Sequence, residues 1–107
     1  ILLLIAGLTC SLTQAQVNAV KEINDSGTSS SSPANLFVYK GKVYFGADDS
    51  NGSNTDGQDL GKELWVTDGT EAGTSLVADL RTGDASSSPS FFFEYNDIMY
   101  FSYNAGS

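Results

Sequence analysis

The stretch Leu36-Phe37-Val38-Tyr39-Lys40-Gly41-Lys42-Val43-Tyr44-Phe45 returns 56 residues later as Phe92-Phe93-Glu94-Tyr95-Asn96-Asp97-Ile98-Met99-Tyr100-Phe101, and this pair decides the fold. A Ser-Pro dipeptide precedes each copy, Ser32-Pro33 and Ser88-Pro89. Further upstream Val20-Lys21-Glu22-Ile23 is matched by Val77-Ala78-Asp79-Leu80 at an offset of 57, so the Ser-rich segments between differ by one residue. Self-similarity at such a period marks a chain built from stacked supersecondary units.

Each unit reads as short strands. Asn35–Tyr39 and Lys42–Ala47 flank Lys40-Gly41, and Ser90–Tyr95 and Ile98–Tyr103 flank Asn96-Asp97. Gly, Asn and Asp tolerate the positive φ that two-residue hairpins demand. Two more strands, Lys62–Thr67 and Thr74–Leu80, are joined by Asp68-Gly69-Thr70-Glu71-Ala72-Gly73. In Val43-Tyr44-Phe45 and Ile98-Met99-Tyr100-Phe101, alternation sends apolar side chains to both faces of the sheet. Small sheets stacked against equivalent neighbours cover both faces. The sequence therefore predicts an all-β chain of antiparallel four-stranded meander units, part of a β-propeller-like array, with a β-sandwich as the alternative. Closure of a propeller takes more units than the chain supplies, so the chain is expected to be a piece cut at both ends.

The opening run Ile1-Leu2-Leu3-Leu4-Ile5-Ala6-Gly7-Leu8 has the composition of a signal-peptide core, and small residues at Thr13 and Ala15 predict cleavage after Ala15. Residues 1–15 are thus expected to be a signal-peptide helix and residues 16–107 the repeat region. Cys10 is the only cysteine and falls inside the leader, which leaves no disulfide framework; its acylation in a lipoprotein is the competing reading. Thirteen acidic residues against five basic ones give a net charge of −8, which disfavours nucleic acid and anionic membranes as partners. The absence of histidine removes the commonest general base and metal ligand.

The segment Gly61-Lys62-Glu63-Leu64-Trp65-Val66-Thr67-Asp68-Gly69-Thr70-Glu71-Ala72-Gly73-Thr74 resembles the ELWxxDGT repeat of exported, Bacteroidetes-type bacterial proteins. That motif runs Gly-x-Glu-Leu-Trp-x-x-Asp-Gly-Thr-x-x-Gly-Thr, and every defined position is matched. The resemblance extends from about Val20 onward. It implies export, a propeller-like array and, at the far C-terminus of such proteins, a sorting domain. It makes Glu63, Leu64, Trp65, Asp68, Gly69, Thr70, Gly73 and Thr74 structural signature residues and implies no chemistry.

Individual side chains admit sharper and blander readings. Trp65 is a sugar-stacking platform if exposed and a core anchor if buried. Asp68, standing before Gly69, caps its own turn rather than acting in catalysis. Glu63 and Asp79 form the best carboxylate pair, and with no nucleophile motif beside them they are expected to bond turn amides. Phe91-Phe92-Phe93 is expected to be an inner strand, by alignment with Asn35-Leu36-Phe37. Asp48, Asp49, Asn51, Asp56 and Asp59 crowd oxygen ligands into one loop, a candidate Ca²⁺ site without EF-hand spacing. A solvated connection is the alternative there. No other cofactor is indicated. The expected role is a secreted or cell-surface binding, adhesion or scaffold module whose partner is an extracellular protein or glycan, alongside neighbouring repeats of the same chain. An exported enzyme with catalytic residues elsewhere is the alternative.

Overall fold

The computed structural model describes residues 18–25, 29–50 and 57–107. The expected signal-peptide helix, Asn51 and Asp56 lie outside the described residues.

Six strands and no helix make up the described chain: β1 (Ala34–Tyr39), β2 (Lys42–Asp48), β3 (Lys62–Thr67), β4 (Ser75–Ala78), β5 (Ser90–Tyr95) and β6 (Ile98–Ser102). The first four form an antiparallel sheet in the order β1-β2-β3-β4, and β5 and β6 form a separate hairpin. The all-β antiparallel meander expected from the alternation is therefore present. Both two-residue turns place their central residues in the left-handed region, with φ of 47° and 75° at Lys40 and Gly41 and 50° and 60° at Asn96 and Asp97. This conformation matches the turn's twist to that of the flanking strands.

The two hairpins share their register residue for residue. Ala34 pairs with Gly46, Phe37 with Tyr44, Val38 with Val43 and Tyr39 with Lys42; at an offset of 56, Ser90 pairs with Ser102, Phe93 with Tyr100, Glu94 with Met99 and Tyr95 with Ile98. A bulge falls at the same place in each, with φ of 57° at Asn35 and 52° at Phe91. The backbone bond from Asp48 N–H to Ser31 O (2.8 Å) is likewise repeated from Asn104 N–H to Ser87 O (2.7 Å).

Pairing fixes which residues share a face. Val43 opposes Thr67, Phe45 opposes Trp65 and Ala47 opposes Glu63, so these six point to one side of the sheet. Ile23 lies over that side and completes the core with Phe45, Ala47 and Trp65, while Val43 and Leu76 pack at its margin. On the opposite side β5–β6 packs against β1. Phe37 stacks on Phe92 with ring centroids 6.0 Å apart, and Phe92 continues onto Phe101 at 5.3 Å. Asn35 donates its amide to Pro89 O at 3.0 Å, and the Tyr39 hydroxyl donates to the backbone carbonyl of Asp97. Pro89 is fully buried over Gly46.

Three expectations need correction. The strand expected over Thr74–Leu80 is only Ser75–Ala78, because Leu80 N–H leaves the ladder to bond the Glu63 carboxylate. Strand β6 stops at Ser102 rather than Tyr103, where Asn104 N–H turns to Ser87 O. The Phe91-Phe92-Phe93 run is not an inner strand throughout: Phe92 packs inward, but Phe91 is 83% and Phe93 55% exposed, since the left-handed bulge at Phe91 throws that side chain outward and, among the described residues, no sheet covers the far side of β5–β6.

Candidate functional site

The signature residues converge on two polar nodes flanking the core. The first is built on Glu63, which strand alternation points inward beside Trp65 and which has no exposed surface. A buried carboxylate must be hydrogen-bonded or it costs several kcal/mol, on the order of 2–7. Glu63 accepts three bonds: from Leu80 N–H at 2.8 Å, from Ser87 N–H at 2.8 Å and from the Ser87 hydroxyl at 2.6 Å. The same Ser-rich segment grips the strand before it, since Lys62 N–H donates to Ser86 Oγ at 2.9 Å and Ser87 N–H and Ser88 N–H both reach Lys62 O. The Ser-rich stretch 85–88 is thus a clamp laid across the start of β3. A carboxylate beside a serine hydroxyl has the outline of a base and nucleophile, but both residues are fully enclosed. No substrate can reach them, so this pair holds chain to chain.

Asp79 does not join Glu63. It lies just past β4 and is exposed, so the carboxylate pair expected on neighbouring strands is not assembled. Trp65 is buried in the core, 1% exposed, with its indole N–H making no hydrogen bond. Leu64 is buried on the opposite side of the same strand.

The second node is the turn from Thr67 to Thr74. Asp68 Oδ1 accepts from Thr70 N–H at 2.9 Å and from the Thr70 hydroxyl at 2.6 Å. Gly73 N–H donates to Thr70 Oγ1 (2.9 Å), the Thr74 hydroxyl donates to Thr70 O (2.6 Å), and Gly69 N–H donates to Thr67 Oγ1 (3.0 Å). Gly69 has φ of 92°, and a Cβ at Gly73 would collide with the Asp68 carboxylate. Each defined residue of Asp-Gly-Thr-x-x-Gly-Thr therefore closes this turn. The Thr70 hydroxyl and then the Thr70 backbone amide hold the Asp68 carboxyl below the usual aspartate range. A lowered acid stabilises the fold above its unfolded pKa of about 3.9 and ceases to do so as pH falls through the lower folded value. Asp68→Ala is accordingly expected to lower the thermal midpoint by a few degrees at pH 7 and to converge on wild type at acid pH, measured by calorimetry across pH.

Of the acidic run, Asp48, Asp49 and Asp59 are among the described residues. Asp48 is half-buried at the end of β2, Asp49 is buried and Asp59 is exposed. Burial, and then the charge of Asp59, push the Asp48 carboxyl up, and its Oδ1 has no hydrogen-bond partner. Asp59 Oδ1 is turned back to Gly61 N–H at 2.9 Å. No group of three acidic, His or Cys residues among the described residues is arranged to hold a metal ion.

Sequence reasoning misses three contributors. Ser87 is submerged in a low-complexity run, although its place before Ser88-Pro89 recurs as Ser31 before Ser32-Pro33. Gly61 is the second: the motif includes it without giving its role, and with φ of 66° a Cβ there would stand 2.8 Å from Asp84 O and 3.0 Å from Ser86 N. The third is a groove of about 250 Å³ on the Trp65 side of the sheet, lined by Val20, Ile23, Pro33, Leu36, Val43 and Phe45 among others. No family model, curated protein or solved structure matches the chain.

Proposed function

We propose that this chain is part of an exported, repeat-built β module, propeller-like in arrangement, that binds or scaffolds at the cell surface rather than catalysing a reaction. One observation carries the reading: the residues that the motif singles out are spent on internal bonds. Glu63 and Trp65 are enclosed, and Asp68, Thr70, Gly73 and Thr74 close a turn. Side chains committed in this way maintain architecture, and function then falls to the surface that the architecture displays. The shared register of the two hairpins supports units stacked in series. The apolar run Ile1–Leu8 and the small residues at Thr13 and Ala15 support export. The net charge of −8 turns the module away from nucleic acid and toward protein or glycan partners.

Mass spectrometry of the material that a bacterial host exports tests this reading. The expected product begins at Gln16. A product retained in the cytoplasm with residues 1–15 intact would overturn it, and one beginning at an acylated Cys10 would replace secretion by lipid anchoring.

A further inference from the structure

An aspartate followed by glycine is a chemically labile step in a polypeptide, because glycine has no side chain to keep its nitrogen away from the aspartate Cγ. Asp68-Gly69 is such a step, and both residues are exposed to water. Hydrogen bonds within the turn decide what each reacting atom can do. The Thr74 hydroxyl gives its proton to Thr70 O at 2.6 Å, so Thr67 must be the donor in the 2.6 Å contact between the Thr67 and Thr74 hydroxyls. Thr67 Oγ1 therefore faces Gly69 N–H, 3.0 Å away, with lone pairs only. The Asp68 carboxylate is held through Oδ1 by the Thr70 N–H at 2.9 Å and the Thr70 hydroxyl at 2.6 Å. It lies so close over Gly73 that a Cβ there would overlap it.

The rearrangement open to this step consumes no oxidant and no partner. Gly69 N attacks Asp68 Cγ, an N–Cγ bond forms, and the carboxyl hydroxyl departs with the amide proton as one water. Hydrolysis of the resulting succinimide returns that water. It breaks either the N–Cγ bond, which restores aspartate, or the bond from Gly69 N to the Asp68 carbonyl carbon, which leaves isoaspartate with one extra carbon in the main chain.

We propose that the threonines of this turn guard the Asp68-Gly69 step against that rearrangement, Thr70 by tying down the carboxylate and Thr67, aligned by Thr74, by holding the Gly69 amide proton in place. The inference rests on the geometry of the turn and is independent of the export reading. An ionised carboxyl has no hydroxyl to lose, and the two Thr70 bonds keep Asp68 ionised by lowering its pKa. A deprotonated Gly69 nitrogen would meet lone pairs and no proton, since the single Thr67 proton is committed to Thr74. Leaving group and nucleophile are both withheld. Isoaspartate at position 68 would lengthen the connection between β3 and β4 and take the acceptor from Thr70, so the rearrangement undoes the turn that resists it.

Timed incubation of the 107-residue chain at neutral pH, followed by digestion and fragment mass spectrometry that places isoaspartate by residue, tests this. Wild type is run folded and in urea, beside folded Thr70→Val and Thr67→Val, and Asp56-Gly57 in the same chain is the internal reference. Folded wild type is expected to accumulate isoaspartate at position 68 at least about tenfold more slowly than the unfolded chain, since only the open fraction of the turn reacts. Thr70→Val keeps the amide bond and loses the hydroxyl. It should raise the folded rate at position 68 roughly tenfold, the factor that one hydrogen bond to a charged group implies, and leave Asp56-Gly57 unchanged. Thr67→Val should raise the rate at position 68 as well. An equal rate there in folded and unfolded wild type overturns the proposal. So do variants that keep the Trp65 emission of the native fold and rearrange no faster than wild type, which would leave the threonines with the closing of the turn alone. Acceleration that Asp56-Gly57 shares also overturns it, because it reports a general loosening of the chain.

Discussion

Replacing Glu63 by alanine is expected to lower stability by about 3 kcal/mol, because Leu80 N–H loses its acceptor, the two Ser87 donors keep only the carbonyl of Lys62, and each unsatisfied group costs about 1–3 kcal/mol. The donors are Leu80 N–H, Ser87 N–H and the Ser87 hydroxyl, and they belong to segments that no other strand pairing holds in place. Their release leaves the Ser-rich clamp held to β3 through Lys62 alone and loosens the seating of β5–β6. For a domain of this size the thermal midpoint should fall by more than about 10 °C. Glu63→Gln discriminates polarity from volume. It keeps the shape but turns one acceptor oxygen into an amide NH2 group that faces donors, and about 2 kcal/mol should still be lost. Urea melts followed by Trp65 emission measure both. An alanine variant that melts with wild type would show that the three bonds are replaceable by water.

Trp65→Ala should cost a similar amount, about 3–5 kcal/mol, through lost burial and the cavity left among Ile23, Phe45 and Ala47. Trp65→Phe is the informative companion. The indole N–H is buried without a partner, so removing it recovers part of the stabilisation that the smaller ring forfeits. A loss of about 1 kcal/mol is expected for phenylalanine, well short of the alanine value. Calorimetry and far-UV circular dichroism replace fluorescence here, because Trp65 is the only tryptophan. Equal losses for the two variants would mean that the indole nitrogen is satisfied in solution.

The parts of this structure legible in the sequence are those written in local chemistry. Alternation in Val43-Tyr44-Phe45, with Lys40-Gly41 before it, fixes strand, turn and facing together, and the same holds for Asn96-Asp97 and the strand Ile98–Ser102. Asp68-Gly69-Thr70 is equally local, since an aspartate two residues from a backbone amide bonds it with little dependence on the rest of the fold. Long-range contacts escape the sequence. Nothing near Glu63 announces that Ser87, 24 residues away, will meet it, nor that Gly61 must admit the backbone at Asp84. Strand ends are misread for the same reason. Leu80 is apolar and continues the pattern of β4, but its amide is claimed by a carboxylate on another strand. The aromatic run at residues 91–93 misleads because alignment transmits position in a unit and not whether a neighbour is there to cover it.

Strand order in the four-stranded sheet has a consequence for time. Every pairing joins strands adjacent in sequence, β1 to β2, β2 to β3 and β3 to β4, and no crossover is needed. A hairpin closed by two residues forms in about 1–10 µs, and β1–β2 can do so before any distant segment arrives. Each later strand then adds to an edge already present, closing one loop at a time, which keeps the entropy of each step small. Sheets whose partners lie far apart in sequence must instead wait for a rare long loop, and they fold orders of magnitude more slowly. For a chain that emerges end first, this order lets β1 to β4 assemble in the sequence in which they appear, with Ser87 arriving last to close over Glu63.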